Sequence, residues 1–200
     1  MNEWQRAYDS RQFYINTANP SVVVRAIEPG LLPESRVADL GCGGGRNAIH
    51  LAGLGHKVDA VDLADLSWVS AITDPEVKSR INFVKSDVSD FELKSDSYHA
   101  ILMTRLIQYL DKSLLQKLLA KSFKALKPGG VLVIGYTAGG GVHKMSEYIF
   151  DKYSYKSEDI RKMLTNIGFV IRSFKKGSAV SKYVPHIVKI EAYDIIAEKL

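Results

Sequence analysis

The stretch Val37–Asp62, VADLGCGGGRNAIHLAGLGHKVDAVD, decides the fold. An apolar run, Val37-Ala38-Asp39-Leu40, opens into a turn with glycine at Gly41, Gly43, Gly44 and Gly45. A helical pattern follows through Ala48, Ile49, Leu51 and Ala52, and Gly53 and Gly55 close it. A second apolar run, Val58 to Val61, ends at Asp62. Strand, glycine turn, helix, strand and acid form half of a nucleotide-binding α/β unit. Such a turn sets backbone N–H groups and a helix N-terminus at the carboxyl end of a sheet, where they can meet a ligand.

Glycine spacing separates the ligand classes. A dinucleotide turn, G-x-G-x-x-G, would need glycine at position 46, where Arg46 stands. A P-loop fails as well, because no Gly-Lys-Ser/Thr follows at the required spacing. The pattern present is D-x-G-x-G-x-G, from Asp39 to Gly45.

Working outward, Trp4 and Tyr8 are spaced to share one side of a helix, with Phe13 and Tyr14 nearby. This segment is either a helix on the domain edge or an aromatic flap over the ligand site. Val22 to Ile27 reads as a short helix after Pro20, and Glu28 to Pro33 as a connector. Beyond Asp62, Ala64 to Ile72 suits a short helix, and Ile81 to Val84 a brief strand followed by Ser86-Asp87-Val88. Ser95-Asp96-Ser97 marks a turn, and Ala100 to Met103 is an uninterrupted apolar run of the buried parallel type.

Asp111 can cap the next helix, whose Leu114, Leu115, Leu118, Leu119, Phe123 and Leu126 recur at three and four. Lys127-Pro128-Gly129-Gly130 stops it, and Val131 to Ile134 is another buried strand. The pattern loosens from Thr137 to Lys156, beginning with the glycines 139–141. Ser157 then caps a helix carrying Glu158 and Asp159 in its first turn and ending at Gly168. Phe169 to Ile171 starts a strand, Gly177-Ser178 suits a turn, and Pro185 to Ile196 supplies a last strand. Strands alternating with helices predict an open, mostly parallel sheet covered on both faces.

Asp39-Leu40-Gly41-Cys42-Gly43-Gly44-Gly45 resembles the first motif of class I S-adenosylmethionine-dependent methyltransferases. Asp62 matches the acid ending their second strand, Ser86-Asp87-Val88 is similar to their adenine-contacting motif, and Leu126 to Gly130 resembles their turn into the fifth strand. These matches cover about residues 37 to 136. Within that superfamily, Gly45-Arg46-Asn47 after the turn and Pro20-Ser21-Val22-Val23 before it are similar to the tellurite-resistance (TehB-like) type. The C-terminal third does not clearly follow that type, and His99 stands where the superfamily often has aspartate.

The resemblance implies a Rossmann-like sandwich: a seven-stranded, mostly parallel sheet, helices on both faces, and an antiparallel strand near the C-terminus. It implies a single domain over 1–200, with a helical, aromatic cap at 1–30, a cofactor-binding core at 31–136, and a loop, helix and closing strands at 137–200. S-adenosylmethionine is the implied cofactor. Asp62 would take the ribose hydroxyls, with Leu63 against the ribose or adenine. Asp87 and the backbone N–H of Val88 would meet the adenine, unless Asp87 only caps a turn. Asp39 would orient the methionine amino group, or tie the glycine turn together, and Thr104 would offer that amino group its backbone carbonyl.

Gly41 and Gly43 would let the backbone come close to the methionine part. Cys42, inside the turn, reads as a small packed side chain because no partner base is evident. Arg46 either holds the methionine carboxylate or pairs with a surface acid. Candidate acceptor-side residues are Tyr8, Tyr14, Arg105, Gln108, Tyr109, Tyr136 and His143. The expected reaction is in-line methyl transfer to a small molecule. An RNA or protein acceptor is the nearest alternative, and a non-catalytic cofactor- or partner-binding module belongs to another class. A soft nucleophile needs no strong general base, whereas a hydroxyl or amine benefits from one, so no catalytic residue is assigned.

Composition agrees. Two hundred residues, 46% hydrophobic and 24% charged, suit one compact core rather than global disorder. A net charge of +5 permits a nucleic-acid partner without favouring it, since no Lys/Arg block stands out. One cysteine excludes an intrachain disulfide, and the polar N-terminus has no apolar signal core. No apolar run approaches membrane-spanning length, so the expected setting is cytoplasmic. The five histidines are scattered without ligand spacing, which argues against a metal.

Overall fold

The computed structural model describes residues 19–65, 69–138, 153–181 and 188–200. Trp4, Tyr8, Phe13, Tyr14, the glycines 139–141, His143, Pro185 and His186 therefore lie outside the described residues.

In chain order the elements are α1 (Val22–Arg25), a 3-10 turn (Glu28–Gly30), β1 (Arg36–Leu40), α2 (Arg46–Gly53), β2 (Lys57–Asp62), α3 (Pro75–Ser79) and β3 (Ile81–Lys85). Then come β4 (Tyr98–Thr104), a 3-10 turn (Ile107–Tyr109), α4 (Lys112–Ala125), β5 (Leu126–Ala138), α5 (Ser157–Ile167), β6 (Phe169–Ser181) and β7 (Val188–Lys199). One seven-stranded sheet has the order β3-β2-β1-β4-β5-β7-β6. β1 to β5 pair in parallel, and β7 runs antiparallel to both β5 and β6.

Alternation along the central strands explains why both faces are covered. Val37, Ala100, Leu102 and Val133 pack with Val23, Val24, Ala48 and Leu51 beneath α1 and α2. Ala38, Leu40, Ile101, Met103, Leu132 and Ile134 pack with Leu115, Leu119 and Leu164 beneath α4 and α5. Asp111 caps α4 as expected, its carboxylate accepting from the Leu114 N–H at 2.8 Å. Gly168 ends α5 at φ 114°, and a Cβ there would sit 3.1 Å from the Phe123 ring.

Four local expectations change. Ser157 is not the cap: Lys156 holds the extended cap conformation, and Ser157 is already the first helical residue and buried. Gly177-Ser178 is no turn, because β6 continues through them, paired to Ala192 and Glu191 of β7; cross-strand pairing overrides glycine's local preference. Lys127 to Gly130 lie within β5 as a bulge, between the pairs Tyr98↔Leu126 and Ala100↔Val131. Finally, no α-helix forms in the described part of 64–72; the Asp62 carboxylate takes the Ala64 N–H at 3.0 Å and turns the chain away.

Candidate functional site

The strand order reverses between β1 and β4, and the crevice beyond their carboxyl ends is where open α/β sheets bind ligands. The glycine turn leaves β1 there. Gly41 and Cys42 donate to the Val61 carbonyl at 2.8 and 3.0 Å, so the turn folds back on β2. Gly41 sits at φ 68°, and a Cβ on it would be 2.9 Å from Leu106 Cδ1, just past β4. Gly45 enters α2 left-handed at φ 76°. Cys42 is buried, and burial pushes its thiol well up, as suits packing rather than nucleophilic attack.

Two carboxylates flank the turn in different states. Asp62 Oδ2 accepts from the Gly43 N–H at 2.9 Å and Oδ1 from Ala64. Burial raises its pKa, and these backbone donors pull it back. Asp39 is fully buried, and neither oxygen has a hydrogen-bond partner among the described residues. Burial pushes its pKa up to about 7; the Arg46 charge and the nearby Ala48 N–H, which falls short of hydrogen-bond geometry, lower it, while Asp62 raises it further. A carboxylate left without partners in a protein interior is costly, and points to a cationic or donating ligand group.

Arg46 donates to Ser21 Oγ at 2.9 Å and makes no ion pair with a carboxylate among the described residues. Asn47, which the sequence offers only as part of Gly45-Arg46-Asn47 and without a role, is central here. It is buried, accepts from the Ser21 N–H at 2.9 Å and donates to Thr104 Oγ1 at 2.9 Å. It thereby ties the entry to α1, the start of α2 and the end of β4 together. An amide on the same helical stripe as Leu51, four residues on, was the available signal.

Asp87, beyond the end of β3, accepts from the N–H and hydroxyl of Ser89 through Oδ1, at 2.8 and 2.7 Å, so it does cap a turn. Val88 is buried behind it and Leu63 is half-buried beyond β2. Of the acceptor-side candidates, Arg105 is exposed at φ 60°, Tyr109 is half-buried, and Gln108 and Tyr136 are buried. Tyr8, Tyr14 and His143 lie outside the described residues.

The opposite, amino end of the sheet holds a second polar cluster. Asp59 there takes Arg36 at 2.7 Å, Tyr98 at 2.9 Å and Asn82 at 2.8 Å. His99 Nδ1 accepts from the Arg36 N–H, which places His99 away from the crevice. No cluster of metal-ligating side chains occurs among the described residues, and none of their helices is long and apolar enough to cross a membrane.

Residues 37–130 match the family described as "Methyltransferase domain". By its strand order and its likeness to solved methyltransferases, the chain has the fold of the class I S-adenosylmethionine-dependent methyltransferases. Within it, the chain is similar to TehB from Haemophilus influenzae, with a TM-score of 0.72 at 18% identity, covering 98% of this chain and 67% of that one. A 1,6-didemethyltoxoflavin-N1-methyltransferase from Burkholderia thailandensis, solved with 1,6-didemethyltoxoflavin and S-adenosylhomocysteine, gives 0.72 at 19% identity, covering 96% and 83%. A "Ubiquinone biosynthesis O-methyltransferase" from Xanthomonas campestris is 29% identical over 135 residues, 66% of this chain and 55% of the relative. The chain thus spans about half the length of the curated relatives it matches.

Proposed function

We propose that this chain transfers a methyl group from S-adenosylmethionine to a small-molecule acceptor. The observation that carries the reading is Asp39: a buried carboxylate with no hydrogen-bond partner among the described residues, beside a glycine turn and a second acid at a topological switch point. The residues present suit the cofactor. Asp39 and the Thr104 carbonyl offer acceptors for its ammonium, and Arg46, now on Ser21, offers a donor for its carboxylate. Asp62 holds the ribose hydroxyls with Leu63 alongside. Asp87, which takes only Ser89 through Oδ1 among the described residues, and the Val88 N–H hold the adenine. Gly41 and Gly43 keep the turn's backbone close, and Cys42 packs beneath it.

Bound S-adenosylmethionine supplies a methyl carbon on a cationic sulfur; a bond to the acceptor forms as the carbon–sulfur bond breaks, leaving S-adenosylhomocysteine. The protein's part is alignment and exclusion of water, and alignment alone is worth roughly 7–11 kcal/mol in favourable cases. The contact between Gly41 and Leu106 serves that end by bracing the donor turn against the segment after β4.

The small-molecule acceptor is supported by the relatives, whose names include an O-methyltransferase of ubiquinone biosynthesis and an N1-methyltransferase of didemethyltoxoflavin. Calorimetry with S-adenosylhomocysteine and with NAD tests the donor: binding of the first alone is expected. Labelled methyl transfer to lysate fractions tests the acceptor. Label in RNA or protein and none in small molecules would overturn it, and cofactor binding without any transfer would indicate a non-catalytic module.

A further inference from the structure

Beyond the donor site, three polar side-chain atoms are buried without partners where β4 and β5 end. Both polar atoms of the Gln108 amide and the Tyr136 hydroxyl have no hydrogen-bond partner among the described residues, and the residues are 0% and 2% exposed. Gln108 sits in the 3-10 turn Ile107–Tyr109, which packs on β5, and Tyr136 lies near the end of β5. The turn is pinned: the Gln108 carbonyl accepts from the Tyr153 N–H at 2.9 Å, and Tyr155 donates to the Leu110 carbonyl at 2.5 Å. The amide and the phenol therefore lie on two elements that pack together, the first on a backbone fixed by Tyr153. Buried polar groups are otherwise almost always paired, so atoms left without a partner call for one from outside the described residues.

The chemistry of the pair selects a ligand. Gln108 carries a donor and an acceptor, and neither charges. Burial and the nearby Glu158 and Asp159 push the Tyr136 phenol well up, so it stays a neutral donor and its surroundings repel anions. Its ring stacks on Tyr193 at 5.3 Å with an interplanar angle of 22°, which holds the phenol in place.

We propose that Gln108 and Tyr136 form an acceptor-recognition pair for a neutral molecule bearing a hydroxyl group. The proposal rests on the methyltransferase reading. Because neither group has a partner among the described residues, deleting them should stabilise the chain while weakening acceptor binding; a structural role would lower both.

The test uses the whole chain saturated with S-adenosylhomocysteine and three phenolic probes differing chiefly in charge: 4-hydroxybenzyl alcohol, 4-hydroxybenzoate and tyramine. Calorimetry should show the neutral probe binding about tenfold more tightly than the other two. Tyr136→Phe and Gln108→Leu should each weaken it about tenfold, the loss of one neutral hydrogen bond. Both variants should raise the melting temperature and leave S-adenosylhomocysteine affinity within about twofold. Failure of the neutral probe to bind, preference for a charged probe, or unchanged binding in both variants would overturn the proposal. So would a lower melting temperature in both, since the groups would then have partners in the free protein; should only Gln108→Leu fail to fold, Tyr136→Phe decides. Failure of the wild type to bind S-adenosylhomocysteine would instead overturn the methyltransferase reading, and this proposal with it.

Discussion

Replacing Asp39 with asparagine should make the protein more stable and a poorer binder of its cofactor. The carboxyl group rises from an ordinary 3.8 to about 7 because it is buried without hydrogen bonds. At about 1.36 kcal/mol per unit, the ionised form costs the fold on the order of 4 kcal/mol at pH 8. Between 3.8 and about 7 the folded chain holds a proton that the unfolded chain has released, so this group's contribution to stability falls as pH rises and levels off above about 7. Asparagine has nothing to ionise, but its amide would also lack partners, at about 1–3 kcal/mol. The net gain for Asp39→Asn is therefore about 1–3 kcal/mol at pH 8, and it shrinks and reverses toward pH 4, where only the amide's cost remains. Urea unfolding at several pH values measures it. In parallel, calorimetry should show wild-type affinity for S-adenosylhomocysteine rising about tenfold per unit up to pH 7 and then flattening, as the ionised carboxylate becomes available to the ammonium. The variant should bind about 10- to 100-fold more weakly and lose that pH dependence, as expected for a charge-assisted hydrogen bond. A variant that is less stable at pH 8 yet binds unchanged would refute the reasoning.

Asp62→Ala removes two backbone contacts of the glycine turn, at Gly43 and Ala64, and should cost about 1–3 kcal/mol of stability and most of the cofactor affinity, read by urea unfolding and calorimetry. Gly41→Ala forces a left-handed alanine toward Leu106, at a cost of at least about 1–2 kcal/mol in unfolding experiments; Leu106→Ala in the same chain should return only the steric part, because the strain at φ 68° stays. Asn47→Leu orphans the Ser21 N–H and Thr104 hydroxyl, so stability should fall by about 2–4 kcal/mol, with cofactor binding weakened because three elements lose their tie. Asp59→Asn, at the far end of the sheet, should destabilise the fold by about 1–3 kcal/mol by weakening the hydrogen bonds from Arg36, Tyr98 and Asn82, while S-adenosylhomocysteine binds normally.

The sheet was legible because its parallel strands are buried on both faces and so read as unbroken apolar runs, as at Ala100 to Met103 and Val131 to Ile134. α4 was legible because Leu115, Leu118 and Leu119 repeat at helical spacing behind a capping aspartate. The glycine turn announced itself through residues that only a close backbone approach explains. What stayed hidden depends on partners distant in sequence. The Asn47 amide reaches Thr104, 57 residues away, and β6 runs through Gly177 only because β7 lies beside it. The unmet hydrogen bonds of Gln108 and Tyr136 have no signature in sequence, since a glutamine after a strand is usually solvated.

The contact between Gly41 and Leu106 also limits how such a chain can change its chemistry. The turn that grips the donor and the segment that reaches toward the acceptor lean on each other within a few residues of their parent strands. Inserting or deleting a residue between Thr104 and Gln108 would shift Leu106 and unseat the donor turn along with the acceptor segment. New specificity is therefore more accessible by exchanging side chains at fixed loop length, at positions such as 105, 108 and 109, than by remodelling the loop. Across natural variants of this scaffold, the spacing between the end of β4 and the following 3-10 turn should vary less than the residues that occupy it.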